Sequence, residues 1–149
     1  MKFYTRDFED FGSIPARFTS DGENKSPAFV VENVPSEAVA LGLVCHDPDA
    51  TRGFPWVHWL IWSMPVDVKV ITDSELPDSA IRGLTSFGND SYGGPSPSPG
   101  TGPHRYVFTL YALKSIPQHE SSELPYKTIV SAFEPISLDS ATWTGVYER

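Results

Sequence analysis

A mainly β fold is the class this sequence predicts, and three observations carry it. Fourteen prolines and eleven glycines are spread through 149 residues and leave little room for long helices. Between them lie short apolar runs rich in β-branched and aromatic residues, at spacings that suit strands. The third observation is that the middle runs are apolar at nearly every position, as expected of strands covered on both faces.

In chain order, strands are expected at Phe29-Val30-Val31, from Val39 to Cys45, from Trp56 to Trp62, from Tyr106 to Leu113 and from Thr142 to Tyr147. Strict alternation in the third of these puts Trp56, His58, Leu60 and Trp62 on one face and Val57, Trp59 and Ile61 on the other. One helix is expected near the C-terminus. Pro125 suits its first turn, Ile129, Val130 and Phe133 form its apolar side, and Pro135 restricts Glu134 and ends it. Between Ile81 and Tyr106 runs a stretch punctuated by Gly83, Gly88, Gly93, Gly94, Gly100, Gly102 and by Pro95, Pro97, Pro99 and Pro103. A connection this long in a compact domain is expected to be functional.

The length fits one domain over residues 1–149. With 40% hydrophobic, 13% aromatic and 20% charged residues, the balance is that of a globular chain. A formal charge of −8 and the lack of any Lys/Arg cluster argue against nucleic acid as a partner. Neither an apolar signal core nor a stretch long enough for membrane insertion occurs. The single cysteine, Cys45, rules out an internal disulfide and a cysteine zinc cage, so a cytoplasmic location is expected.

Chemistry concentrates around three of the four histidines. His46 precedes Asp47-Pro48-Asp49, His58 lies in the aromatic run, and His104 opens the strand that follows Gly100-Thr101-Gly102-Pro103. Period-2 geometry places His104 and Tyr106 on one face and turns Arg105 to the other. Each feature has a plainer reading: an isolated His58 is most often a hydrogen-bonded core residue, and Asp-Pro-Asp is most often a capped turn.

Taken together, Ile14 to Pro27, Val34-Pro35, Asp47-Pro48-Asp49-Ala50, Trp56-Val57-His58-Trp59, Gly88 to Pro97, His104 to Leu113 and Thr144 to Arg149 resemble the phosphatidylethanolamine-binding protein family, within it the bacterial and archaeal Raf-kinase-inhibitor-like subgroup. The resemblance implies an antiparallel β-sandwich with a large central sheet, a smaller sheet and one or two short peripheral helices. It implies an anion pocket formed by Asp47, Asp49, His58, His104 and Tyr106, with Thr51, Trp56, Ser96 and Pro97 at its rim. Relatives also make a kinase or protease partner and a homodimer reasonable expectations. Three positions depart from the family pattern: Thr51 replaces a proline after Ala50, Ser98 stands where a second proline is common, and Glu134-Pro135-Ile136 replaces a Gly-His pair.

The function expected is non-enzymatic binding of a small anion, either phosphate or a phosphorylated head group, with no cofactor. Imidazolium groups and glycine-turn N–H groups would supply the donors. The two aspartates need another explanation, because a carboxylate about 4 Å from a phosphate charge is repelled by about 4 kcal/mol at an effective dielectric near 20. One or both are expected to accept hydrogen bonds from backbone N–H groups or from a histidine and so to orient the imidazole. On this reading His104→Ala removes binding and leaves the fold largely intact. A hydrolase is the first rival. Cys45 and His46 point to opposite faces of a strand and no Gly-x-Ser-x-Gly elbow occurs, which weighs against it. A metal site is the second, since His46, Asp47, Asp49, His58 and His104 are acceptable ligands although their spacing matches no metal signature.

Overall fold

The computed structural model describes residues 1–52, 55–117 and 126–149. Among the described residues, nine strands form two sheets. The smaller has three strands, with β3 (Phe29–Glu32) between β1 (Lys2–Thr5) and β6 (Val70–Ile71). The larger has six, in the order β2 (Gly12–Ser13), β9 (Ser137–Tyr147), β8 (His104–Leu113), β4 (Ala40–Asp47), β5 (Trp56–Met64) and β7 (Ile81–Arg82). All pairings are antiparallel except β2 with β9, which is parallel. The expected antiparallel sandwich of a large and a small sheet is therefore present.

Each of the five expected runs corresponds to a strand that extends beyond one of its expected ends, although β4 starts at Ala40 and leaves Val39 outside. β4 continues through His46 and Asp47, and β9 begins at Ser137. β1, β2, β6 and β7 were not foreseen, since three of them are two residues long and derive their order from neighbouring strands.

One apolar cluster fills the space between the sheets, where Phe3, Phe29 and Val31 of the small sheet meet Leu43, Ile61 and Phe108 of the large one. Phe3 and Phe29 stack with centroids 4.6 Å apart, and the tilted Phe108 ring lies 4.6 Å from Phe29. Phe29 is fully buried. Phe29→Ala is accordingly expected to cost about 3 to 5 kcal/mol of unfolding free energy, measured by denaturant titration. A loss below about 1 kcal/mol would show that the two sheets do not depend on this stack for cohesion.

The outer face of the large sheet is covered by α1 (Tyr126–Phe133), whose Ile129 and Phe133 pack against Val44, Leu60, Trp62 and Leu113. A 3-10 turn at Glu134–Ile136 follows, with Pro135 in its first positions, so the helix ends where the proline requires. Pro125, the expected first-turn residue, lies outside the described residues. Among the described residues, no helix is long and apolar enough to cross a membrane.

The expected face division of β5 needs correction. Val57, Leu60 and Trp62 share the outer cluster, whereas Trp59 and Ile61 belong to the inner one. The reason is a bulge. Cys45 pairs with Trp59 but His46 pairs with Val57, so His58 is an extra residue that the ladder skips. Alternation changes phase there, and His58 comes to the same side as Trp59.

Candidate functional site

At the end of the inner face, where β4, β5 and β8 finish, a hollow of about 220 Å³ opens to solvent. Its floor carries Asp47 from the end of β4, His58 from the bulge in β5, and His104 and Tyr106 from the start of β8. One rim is Ala50, Thr51 and Arg52, which follow β4; the other is Ser96, Pro97 and Ser98. Trp56 and Phe87 form an aromatic wall, with ring centroids 5.6 Å apart and nearly perpendicular planes. A space of this size is below the roughly 300 to 1,000 Å³ of drug-sized sites.

The long stretch after β7 is held in place by the N-terminal segment. The Ser20 N–H and hydroxyl both donate to the Pro95 carbonyl at 3.0 Å, and the Gly94 N–H donates to Asn24 Oδ1 at 2.8 Å. Tyr92 donates its buried hydroxyl to the Phe18 carbonyl at 2.8 Å. A side chain at Gly93 would place its Cβ 2.4 Å from the Phe87 ring, so only glycine lets the wall close at this point.

Asp47 and His104 form the buried centre, at 4% and 3% exposure. Asp47 Oδ1 accepts the Asp49 N–H at 2.7 Å, and Oδ2 lies 2.7 Å from His104 Nδ1. A carboxylate only accepts, so Nδ1 carries a proton. On the other side, His104 Nε2 is 2.9 Å from Thr101 Oγ1. The Thr101 hydroxyl donates to the Ser98 carbonyl at 2.7 Å, which leaves only its lone pairs for the ring. With that proton placed, Nε2 is protonated too and the pair is an imidazolium against a carboxylate, internally neutral. If the hydroxyl proton turns to Nε2 instead, the ring is neutral.

His58 differs in charge. Its Nδ1 faces the Gly93 carbonyl at 2.6 Å, so Nδ1 bears the proton and Nε2 is an acceptor in the neutral ring. Burial lowers its pKa to about 4, against the partial opposition of the Gly93 carbonyl and of Asp47. The expectation that His58 contributes an imidazolium at neutral pH is therefore corrected: removal from water outweighs its acceptors.

Tyr106 is 1% exposed, and its hydroxyl is without a hydrogen-bond partner among the described residues. The Ser96 N–H is directed toward it without reaching hydrogen-bond geometry. Burial, reinforced by the negative charge of Asp47, raises the phenol well above its ordinary range, so it stays a donor. Its ring meets His58 edge-on, with centroids 5.0 Å apart.

Eight of the nine residues expected at the site or its rim line this hollow, namely Asp47, His58, His104 and Tyr106 with Thr51, Trp56, Ser96 and Pro97. Asp49 does not. Its carboxylate accepts from the Arg105 N–H, Nε and Nη2, each at 2.9 Å, on the outer side of the strand. Those bonds, the guanidinium first, hold its pKa down at about 2. Arg105 is turned away from Tyr106, in keeping with alternation. Glu134-Pro135-Ile136 supplies nothing to the hollow, since Ile136 packs against the outer cluster. Sequence reasoning assigned no role to Arg52, Phe87 or Thr101. Arg52 adjoins the altered Thr51 and Thr101 lies inside the Gly100 to Tyr106 motif, so adjacency was the available signal. Among the described residues, no group of three or more His, Cys, Asp or Glu is arranged to hold a metal ion.

Comparison with known proteins adds four findings. The family model described as phosphatidylethanolamine-binding protein matches residues 4–148. A UPF0098 protein of Methanothermobacter thermautotrophicus is 38% identical over 154 aligned residues, covering 100% of this chain and 99% of its own. The UPF0098 protein YbhB of Escherichia coli is 33% identical over 124 residues, covering 76% of this chain and 78% of its own. Among solved structures, E. coli YbcL, described as a new member of the mammalian PEBP family, superposes with a TM-score of 0.92 at 25% identity over 99% of this chain and 98% of that one.

Proposed function

Because the chain belongs to the phosphatidylethanolamine-binding protein family, we propose that it is a non-enzymatic binding protein for a small anionic group, phosphate or a phosphorylated head group, seated in the hollow where β4, β5 and β8 end. The observation that carries this reading is the Tyr106 hydroxyl, buried and without a partner at the floor of a polar hollow. An unsatisfied buried hydroxyl costs about 1 to 3 kcal/mol, and a ligand oxygen that accepts from it recovers that loss. Hydroxyls of Thr51, Ser96 and Ser98 surround the same space. Asp47 does not repel the ligand when the His104 ring facing it is charged, since the pair is then internally neutral. Family membership extends the proposal to a kinase or protease partner and to a homodimer.

Sulfate is the suitable first probe, since its charge is constant from pH 5 to 8. A bound anion favours the charged form of His58, so binding draws a proton onto Nε2 and affinity rises as the pH falls through that range. Tyr106→Phe is expected to weaken sulfate binding about tenfold by calorimetry, the worth of one hydrogen bond to a charged acceptor. Flat affinity with pH together with an unaffected Tyr106→Phe variant would reject the site.

A second reading rests on one arrangement. Thr101 Oγ1, His104 and Asp47 are linked at 2.9 and 2.7 Å through opposite ring nitrogens, the order of nucleophile, base and orienting acid in an acyl-transfer enzyme. In that reading Thr101 attacks an ester carbonyl and gives its proton to Nε2, which passes it to the leaving alkoxide; water then frees the acyl group. The donation of the Thr101 proton to Ser98 favours the binding reading. Turnover of p-nitrophenyl acetate that disappears in Thr101→Val would reverse the order.

A further inference from the structure

We infer that Arg52 makes the hollow selective for dianionic phosphate, that is for a phosphomonoester over a phosphodiester. The inference rests on the anion-binding reading of the same site and adds to it the class of anion.

It follows from the charges along the lining. Asp47 and His104 face each other at 2.7 Å, and when the ring is charged they cancel. His58, buried beside Tyr106 and Phe87, is neutral. Asp49 and Arg105 are paired with each other outside the hollow, and Arg149 is bound to Asp21 and Ser20. Arg52 remains. It lies on the rim, exposed, and among the described residues no carboxylate forms a salt bridge with it. It is thus the one cation of the described lining whose charge is not already balanced by a protein carboxylate.

The whole chain works against an anion. Its formal charge of −8 repels a dianion more than a monoanion, so selectivity for the former needs a local cation. A guanidinium serves well, since its planar fork donates two parallel hydrogen bonds to two oxygens of one phosphate. A monoester presents three terminal oxygens and, above its second ionisation near pH 6, two negative charges. A diester presents two such oxygens and one charge. The hydroxyls of Tyr106, Thr51 and Ser96 serve either ligand, as each needs only an acceptor. Discrimination therefore falls to Arg52.

The test is calorimetric titration of the full chain at pH 8 with methyl phosphate and with dimethyl phosphate. The unaltered protein is expected to bind the monoester about tenfold more tightly than the diester. Arg52→Gln should weaken the monoester about tenfold and the diester, whose single charge gains less from the guanidinium, only about two- to threefold, so that the ratio falls to about three. Arg52→Lys, which keeps the charge and loses the fork, should retain part of the preference. Arg52 is exposed, so thermal unfolding of both variants should match the parent. A preference that survives Arg52→Gln undiminished overturns the inference, and if Tyr106→Phe still weakens both esters the anion-binding reading stands without it. Failure of the unaltered protein to bind either ester removes both.

Discussion

Asp47→Ala is expected to lower the unfolding free energy by about 3 to 5 kcal/mol, although Asp47 belongs to the site and not to the apolar core. The carboxylate is 4% exposed and engages both the His104 ring and the Asp49 N–H at 2.7 Å. Truncation leaves the buried Nδ1–H and the turn amide without acceptors in a region that water reaches poorly. Asp47→Asn should cost less, since its amide oxygen still accepts one of the two bonds. The double variant Asp47→Ala/His104→Ala should be more stable than the sum of the single losses predicts, because removing both groups leaves no unpaired charge. Denaturant titration of the four proteins measures this coupling, and strict additivity would show that the pair is not a unit. The same geometry corrects the expectation that His104→Ala leaves the fold intact: that variant strands the Asp47 carboxylate in a buried position.

The second large effect depends on pH. Burial sets His58 at about 4 in the folded protein, below its ordinary 6.5. Between those values the unfolded chain binds the extra proton and the folded one does not. Stability contributed by the neutral ring is thus complete above pH 6.5 and declines as the pH falls toward 4, by about 3 kcal/mol in all. His46, lowered in the same direction chiefly by burial, adds to the decline. His58→Gln keeps a donor for the Gly93 carbonyl and does not titrate, so its urea midpoint should fall less than the parent's between pH 7 and pH 4.5, by the equivalent of about 2 kcal/mol. Equal declines in the two proteins would mean that His58 titrates alike in both states. A sulfate-loaded protein should decline less than the empty one, because the anion favours the charged ring.

What the residues determined by themselves was local. β-branched and aromatic runs between turn formers placed five strands, Pro135 ended the helix, and period 2 put His104 and Tyr106 on one side and Arg105 on the other. The strung motifs identified the family because no tertiary contact is needed to recognise an order of residues. What depends on contacts between distant segments was decided by the tertiary structure. The bulge at His58 exists only in the register of β5 against β4, and it is what brings this ring beside Tyr106. Asp49 turned to Arg105 because the two strand ends lie side by side, 56 residues apart in sequence. His58 is neutral because Phe87, Tyr106 and the glycine segment seal it from water, and desolvation is a property of a packed site, absent from any single residue type.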